Sequence, residues 1–104
     1  MDELEVISAL RALGEQTRWR VMRLLVSSEH GLAAGDIAEA LKVRQNTLSS
    51  HLALLARCGL IDGMRQGRKI IYATDLRNTH SLVVQILINL GPVSESAAKK
   101  LLRA

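Results

Sequence analysis

The chain has 104 residues, of which 48% are apolar, so it can build one packed core but hardly a second. Lysines and arginines outnumber the acidic residues and give a formal charge of +4, which is compatible with a polyanionic partner. A single cysteine, Cys58, excludes an internal disulfide, and no apolar run is long enough to span a bilayer. These features predict a small cytoplasmic protein without a membrane segment.

Apolar residues at helical spacing predict three helices before the first tight turn of the chain. Their expected bounds are Asp2 or Glu3 to Leu13, about Glu15 to Ser27, and Ala34 to Leu41. Gly14 separates the first two, and Leu32 begins a short extended piece before the third. In the second helix Trp19 shares an apolar stripe with Met22 and Leu25, so we expect the indole ring in the core.

A fourth helix follows after only Lys42 and Val43, begins near Arg44 or Gln45, and runs to about Cys58. Its apolar residues at i, i+4 and i+7, and its expected C-terminal cap, are Leu48, Leu52, Leu55 and Gly59. Two short helices joined so tightly, the second of them amphipathic, are typical of a helix-turn-helix unit. The hydrophobic period then becomes that of strands, and 60–65 and 68–73 are predicted to form a hairpin around Gln66-Gly67.

The helix predicted from about Asp75 to Leu90 is apolar around most of its circumference. A protomer of this size offers it one core face, so we expect the remainder to pack against a second copy together with the first helix. The predicted dimer contacts are Leu4, Ile7, Leu10, Leu82, Val83, Ile86 and Leu90. Gly91-Pro92 should end this helix, and Ser94 is a candidate cap for a last short helix ending at Arg103.

The order of elements, α-α-α-α-β-β-α, predicts a mainly α winged helix-turn-helix fold with a small β-hairpin, dimerising through its terminal helices. We divide the chain into a DNA-binding and dimerisation domain at 1–92 and a short C-terminal helix or tail at 93–104. The DNA-binding assignment depends on two surfaces. The fourth helix exposes short polar side chains that fit the major groove, and the hairpin tip is basic, as a wing beside the DNA backbone requires.

The residues predicted to contact double-stranded DNA are Arg44, Gln45, Asn46, Thr47, Ser49, Ser50 and His51 in the helix, and Arg65, Arg68 and Lys69 in the hairpin. For His51 a structural hydrogen bond at the edge of the core is an equal alternative. Thr47 has the alternative of serving the turn or a phosphate. Two recognition helices in a dimer would read an inverted repeat with half-sites about one helical turn apart. The alternative function is a dimerisation or protein-interaction module on the same fold that does not bind DNA.

Several phrases of the sequence resemble the ArsR family of winged-helix repressors. They are 10–18 (LRALGEQTR), 36–41 (DIAEAL), 47–52 (TLSSHL), 59–61 (GLI), and 65–68 (RQGR) leading to Tyr72, and the likeness covers about residues 6 to 75. The resemblance implies a homodimer with terminal helices at its interface, which represses transcription until an inducer releases it from the operator. An enzyme is the least expected class, because the sequence has no paired carboxylates, Ser/His/Asp set, phosphate-binding glycine motif or metal constellation.

Two departures from the family pattern are evident. Arg44 stands where relatives commonly have a small helix-capping residue. The stretch 31–37, which carries paired cysteines in many relatives, has neither Cys nor His, and Asp75 and His80 have no second histidine at the far end of their helix. We therefore predict no metal site and no cofactor. The candidate signals are a small-molecule inducer, oxidation of Cys58, or none, although a small space-filling thiol is the commoner role for such a cysteine.

Overall fold

The computed structural model describes residues 1–91 and 95–103. Its elements are α1 (Glu3–Leu13), α2 (Gln16–Val26), β1 (Leu32–Ala33), α3 (Ala34–Leu41), α4 (Gln45–Arg57), β2 (Ile61–Gln66), β3 (Lys69–Thr74), α5 (Leu76–Leu90) and α6 (Glu95–Arg103). The strands form an antiparallel sheet in the order β1-β3-β2. The predicted winged helix-turn-helix fold is confirmed, and the short extended piece at Leu32 is a third strand of the sheet, paired with β3. The predicted helix stop at Pro92 and cap at Ser94 lie outside the described residues.

The turn between α3 and α4 is set by one left-handed residue. Lys42 has a φ of 58°, and this reversal lets the Val43 amide donate to the Ala38 carbonyl over 3.1 Å. α4 then begins after Arg44, whose side chain makes no capping bond, as the missing small cap residue predicts. Gly59, with a φ of 77°, follows the last turn of α4 as expected. The helix-turn-helix bounds predicted from the sequence are therefore confirmed to within a residue.

The core joins the helix-turn-helix unit to α2 and to the first wing strand. The largest fully buried side chains are Val21, Leu25, Ile37, Leu48, Leu52, Leu55, Leu60 and Ile61. The three leucines predicted to face inward from α4 are all among them. Because this stripe is anchored in the core, the opposite face of α4 is turned to solvent.

Two residues lie elsewhere than predicted. Trp19 is 51% exposed, so its assignment to the core is wrong. The core side of α2 is occupied by Val21, Met22 and Leu25. Residue 19 lies at the edge of that stripe, on the same side of the helix as Val26, which is seven positions further along the chain. Leu82, predicted as a dimer contact, is only 3% exposed and belongs to the protomer's own core. It is the residue through which α5 enters the core, so its side chain is unavailable to a second copy.

The hairpin pairs Ile61 with Thr74 at its base and Gln66 with Lys69 at its end. The connecting loop is therefore Gly67-Arg68, one residue later than predicted. Gly67 has a φ of 63°, which fits the requirement for glycine at the first position of a two-residue hairpin turn. As a consequence Arg68 lies at the very tip of the wing.

α5 is connected to the end of α4 through polar groups. Asp75 caps α5 by accepting a hydrogen bond of 3.0 Å from the Asn78 amide, and the Asn78 side chain donates to the Gly59 carbonyl over 2.9 Å.

Within the described residues, no helix combines the length and the apolar character needed to cross a membrane.

Candidate nucleic-acid interface

A cleft of about 400 Å³ lies where the N-terminal turns of α4 meet the wing. α4 contributes Gln45 and Ser49 to its lining, and the wing contributes Arg68 and Lys69. Ile70, Tyr72 and residues 33–36, which include the acidic Asp36, complete the lining. The fold thus brings two predicted base-reading side chains together with two predicted phosphate contacts that are about twenty positions away in the sequence.

The other polar residues of the recognition helix surround this cleft. Asn46, Thr47 and Ser50 are exposed, and their present hydrogen bonds are local ones. The Asn46 side-chain oxygen accepts from the Thr47 amide over 2.9 Å, and the Ser50 hydroxyl donates to the Thr47 carbonyl over 3.1 Å. Each side chain therefore keeps hydrogen-bonding capacity for an external partner, because the amide nitrogen of Asn46 and the lone pairs of Ser50 are not engaged in these bonds.

The cations of this surface form no ion pairs within the described part of the chain, and Asp36 is the one carboxylate in the cleft lining. Arg44, Arg65, Arg68 and Lys69 are exposed, and none of them forms an ion pair or a side-chain hydrogen bond among the described residues. Arg65 lies in β2 opposite Ile70 and outside the lining of the cleft. Four unpaired cations around a polar helix face favour a polyanion that covers both α4 and the wing.

His51 makes contacts at the edge of the core, which is the structural role that the sequence gave as an alternative to DNA contact. Its ring is 18% exposed, and Nδ1 lies 3.1 Å from a terminal nitrogen of Arg18 and 3.6 Å from a carboxylate oxygen of Glu15. Arg18 in turn donates through Nε to the Ala12 carbonyl over 2.6 Å. We therefore assign His51 to the support of α4 against the corner between α1 and α2, rather than to the DNA-facing surface.

Glu15 and Arg18 are supporting residues that the sequence reading missed. Glu15 caps α2, since its carboxylate accepts from the Arg18 amide over 3.0 Å. This bond, followed by one from the Thr17 backbone, lowers the pKa of Glu15, and the nearby charges of His51 and Arg18 lower it further against an opposing effect of burial. Both residues lie in segment 10–18, one of the segments that resemble the ArsR family, and this resemblance was the signal in the sequence that could have pointed to them.

The candidate sensor residues are separate from the cleft. Cys58 is half-buried at the end of α4, with its sulfur 3.6 Å from the Ser8 carbonyl. Among the described residues no three His, Cys, Asp or Glu side chains come together in a way that could hold a metal ion.

The fold and this surface define a winged helix-turn-helix protein, and comparison with known proteins gives its family. A family model described as a helix-turn-helix domain matches residues 13–63. The HTH-type transcriptional regulator NmtR of Mycobacterium tuberculosis is 36% identical over 83 residues, which are 80% of this chain and 64% of NmtR. The chain thus spans slightly less than two thirds of that relative. The transcriptional repressor SdpR of Bacillus subtilis is 30% identical over 66 residues, or 64% of this chain and 71% of SdpR.

A solved structure agrees with these sequence matches. The homodimeric winged helix-turn-helix DNA-binding domain of a possible ArsR-family regulator from Mycobacterium bovis has a TM-score of 0.69 to this chain at 25% identity, covering 82% of this chain and 79% of that one. The chain belongs to the ArsR family of DNA-binding transcriptional regulators, which are not enzymes. DNA binding and homodimerisation are typical of this family.

Proposed function

We propose that the chain acts as a homodimeric repressor that binds an inverted-repeat operator and leaves it in response to a signal. The observation that carries this proposal is the cleft in which Gln45 and Ser49 face the unpaired charges of Arg68 and Lys69. Repression is the role that the name of SdpR gives for that relative, and the homodimer is supported by the description of the M. bovis domain.

The surface divides into base-reading and phosphate-binding groups. Gln45, Asn46, Ser49 and Ser50 supply the amides and hydroxyls that pair with base edges in the major groove. The phosphate contacts that fix the register come from Arg44, Arg65, Arg68 and Lys69, with Thr47 serving the turn or a further phosphate. A loss of the Arg44 side chain should therefore weaken binding to every DNA sequence, because the proposed contact is to a phosphate and phosphates are the same at every base pair.

The dimer would form through the outward faces of α1 and α5. Leu4 and Leu90 are 75% and 79% exposed, and Ile7, Leu10 and Val83 are exposed as well, while Ile86 is half-buried. Burying such a set against a second copy removes apolar surface from water and places two recognition helices on one side of the dimer. On B-form DNA their half-sites are then centred about 34 Å apart, one turn of the duplex.

Selection from a random duplex library tests this proposal directly. Wild-type protein should enrich an inverted repeat, and a Gln45→Ala, Ser49→Ala double variant should enrich it weakly or with relaxed sequence. In transcription reactions with the selected site placed across a promoter, the protein should lower the transcript level. Absence of any enriched sequence, together with no salt-sensitive complex, would instead support the dimerisation module without DNA binding. An increase in the transcript level would contradict repression but would not contradict DNA binding.

A further inference from the structure

Among the residues that the structure describes, Lys42 is the one non-glycine residue with a left-handed backbone, at a φ of 58°. A lysine in this conformation is strained, whereas a glycine would adopt it freely. Strained residues of this kind cluster at functional sites, where the side chain has a use of its own. Lys42 lies three positions before Gln45, the first residue of the recognition helix, so its charge is placed at the end of α4 that the proposed function turns toward DNA.

The ammonium group of Lys42 is available to a partner from outside the chain. The residue is exposed, and its side chain makes no ion pair or hydrogen bond with the described residues. Glu39 has the nearest carboxylate along the chain, and this carboxylate does not pair with Lys42, although the Lys42 amide donates to the Glu39 carbonyl over 3.3 Å. The charge of Lys42 therefore has no ionic contact within the described residues that would account for it.

A cation at the end of a helix can also serve the partial negative charge of the last carbonyl groups. At the end of α3 this role is filled by Arg20, whose terminal nitrogen donates to the Leu41 carbonyl over 3.4 Å. Arg20 and Arg23 are exposed and line a hollow of about 290 Å³ with Leu41, and no acidic residue is part of that lining. Lys42 thus adds its charge next to a cation that already satisfies the helix end.

These cations and the wing lie at opposite ends of α3. Residues 34–36 at the start of the helix line the cleft together with Arg68 and Lys69, and Leu41 at its end directly precedes Lys42. The eight residues of α3 span about 10 Å along the helix axis. The major groove of B-form DNA is about 12 Å wide and has a phosphate backbone on each side. The two groups of cations are therefore spaced to reach the two backbones that border one major groove.

We propose that Lys42, with Arg20 beside it, binds the DNA phosphate backbone on the side of the major groove opposite to the wing. This inference rests on the proposed DNA-binding function and adds a second backbone contact to each half-site. The recognition helix is then held from both sides, and phosphate contacts of this kind fix the register in which Gln45 and Ser49 meet the bases. The strained lysine is retained because its charge is needed at this point of the turn.

Lys42→Gly separates the backbone conformation from the charge. The variant should be more stable than wild type in urea, because glycine relieves the strain. Its affinity for the selected duplex should nevertheless fall, and the slope of log affinity against log salt should become shallower by about 1.8, because a dimer loses two phosphate contacts of about 0.9 each. A merely structural role for Lys42 would give the gain in stability without the change in slope.

Three further variants serve as controls in the same assay. Lys42→Gln keeps the strained backbone and removes the charge, so its slope should equal that of Lys42→Gly. Lys42→Arg keeps the charge and should retain the wild-type slope. Arg57→Gln removes one charge per protomer at the far end of α4 and should also retain it.

Phosphate ethylation interference locates the contact on the selected duplex. Ethylated phosphates that block binding of the wild-type protein should lie on both backbones of each half-site. In Lys42→Gln the interference should disappear from one backbone, and in Arg68→Gln it should disappear from the other.

The outcomes distinguish this inference from the proposed function. A wild-type slope in Lys42→Gln and Lys42→Gly, with a flattened slope in Arg68→Gln, would overturn the Lys42 contact and leave operator binding intact. A slope in Lys42→Arg as shallow as in Lys42→Gln would overturn it too, as would loss of the same phosphates in Lys42→Gln and Arg68→Gln. Absence of a salt-sensitive complex with wild-type protein would contradict the proposed function itself, and this inference with it.

Discussion

Replacing Arg68 with glutamine tests whether the wing contacts the DNA backbone. The residue lies in the two-residue loop at the wing tip and has no ionic partner among the described residues. A dimer has two wings, so Arg68→Gln removes two phosphate contacts. Each neutralised phosphate contributes about 0.9 to the slope of log affinity against log salt, so the slope should become shallower by about 1.8. Over a fourfold rise in salt, wild type should then lose about twelvefold more affinity than the variant.

The assay is fluorescence anisotropy with the selected duplex, repeated across a series of salt concentrations. Arg57→Gln is the matched control, because it removes the same charge from the opposite end of α4, about 18 Å along the helix axis from Gln45 at 1.5 Å per residue. Its slope should equal that of wild type. An unchanged slope for Arg68→Gln would refute the wing contact. Equal flattening by both variants would show that total charge, and not position, governs the salt dependence.

Further substitutions test specificity, backbone conformation and acid sensitivity. Gln45→Ala or Ser49→Ala should reduce discrimination against a mismatched half-site by about 1–3 kcal/mol while the salt slope stays constant, as competition with mismatched duplexes would show. Lys42→Gly should raise the free energy of unfolding in urea by up to about 1 kcal/mol, because glycine adopts the left-handed conformation without strain, whereas Lys42→Ala should give no gain. Glu15 has a lowered pKa in the folded state, so its stabilising contribution is present above the ordinary value of 4.5 and is lost as the pH falls through the folded value. The melting temperature of Glu15→Gln should therefore be below that of wild type at neutral pH and converge with it in acid; a constant difference across this range would contradict the capping role of the carboxylate.

The elements that the sequence predicted well are those whose signals are local. Three leucines at helical spacing and a following glycine define α4, because both signals act within one helix. Trp19 was misplaced because an apolar residue at the edge of a stripe can lie in the core or in solvent, and Val21, Met22 and Leu25 already occupy the core side of α2. β1 has only two residues, and its strand character depends on pairing with Tyr72, forty positions later.

The candidate site shows the same division. The exposed side of α4 follows from its buried side, so spacing alone predicted that Gln45 and Ser49 are exposed. Gln45 and Ser49 lie close to Lys69 because of the hairpin turn and the register of the sheet. The sequence predicted this turn one residue too early. The contact between Arg18 and His51 joins residues 33 positions apart, and no period within a single element encodes such a contact.

The dimer face provides the last prediction. Leu90 is 79% exposed in the protomer, and full burial of a leucine stabilises by roughly 2 kcal/mol. A twofold interface buries both copies, so Leu90→Glu should cost about 4 kcal/mol of association and raise the dimer dissociation constant roughly a thousandfold. Sedimentation velocity across protein concentrations measures this change, and circular dichroism checks that the helices remain.

Met64→Glu is the matched control for this variant. Met64 is 66% exposed on the wing, away from α1 and α5, and the substitution likewise places a carboxylate at an apolar surface position. It should leave the dimer intact, because a wing residue is not part of the proposed face. Dissociation by Met64→Glu alone would move the interface to the wing. Persistence of the dimer in Leu90→Glu would remove the end of α5 from the interface, and Leu4→Glu would then decide whether α1 alone forms it.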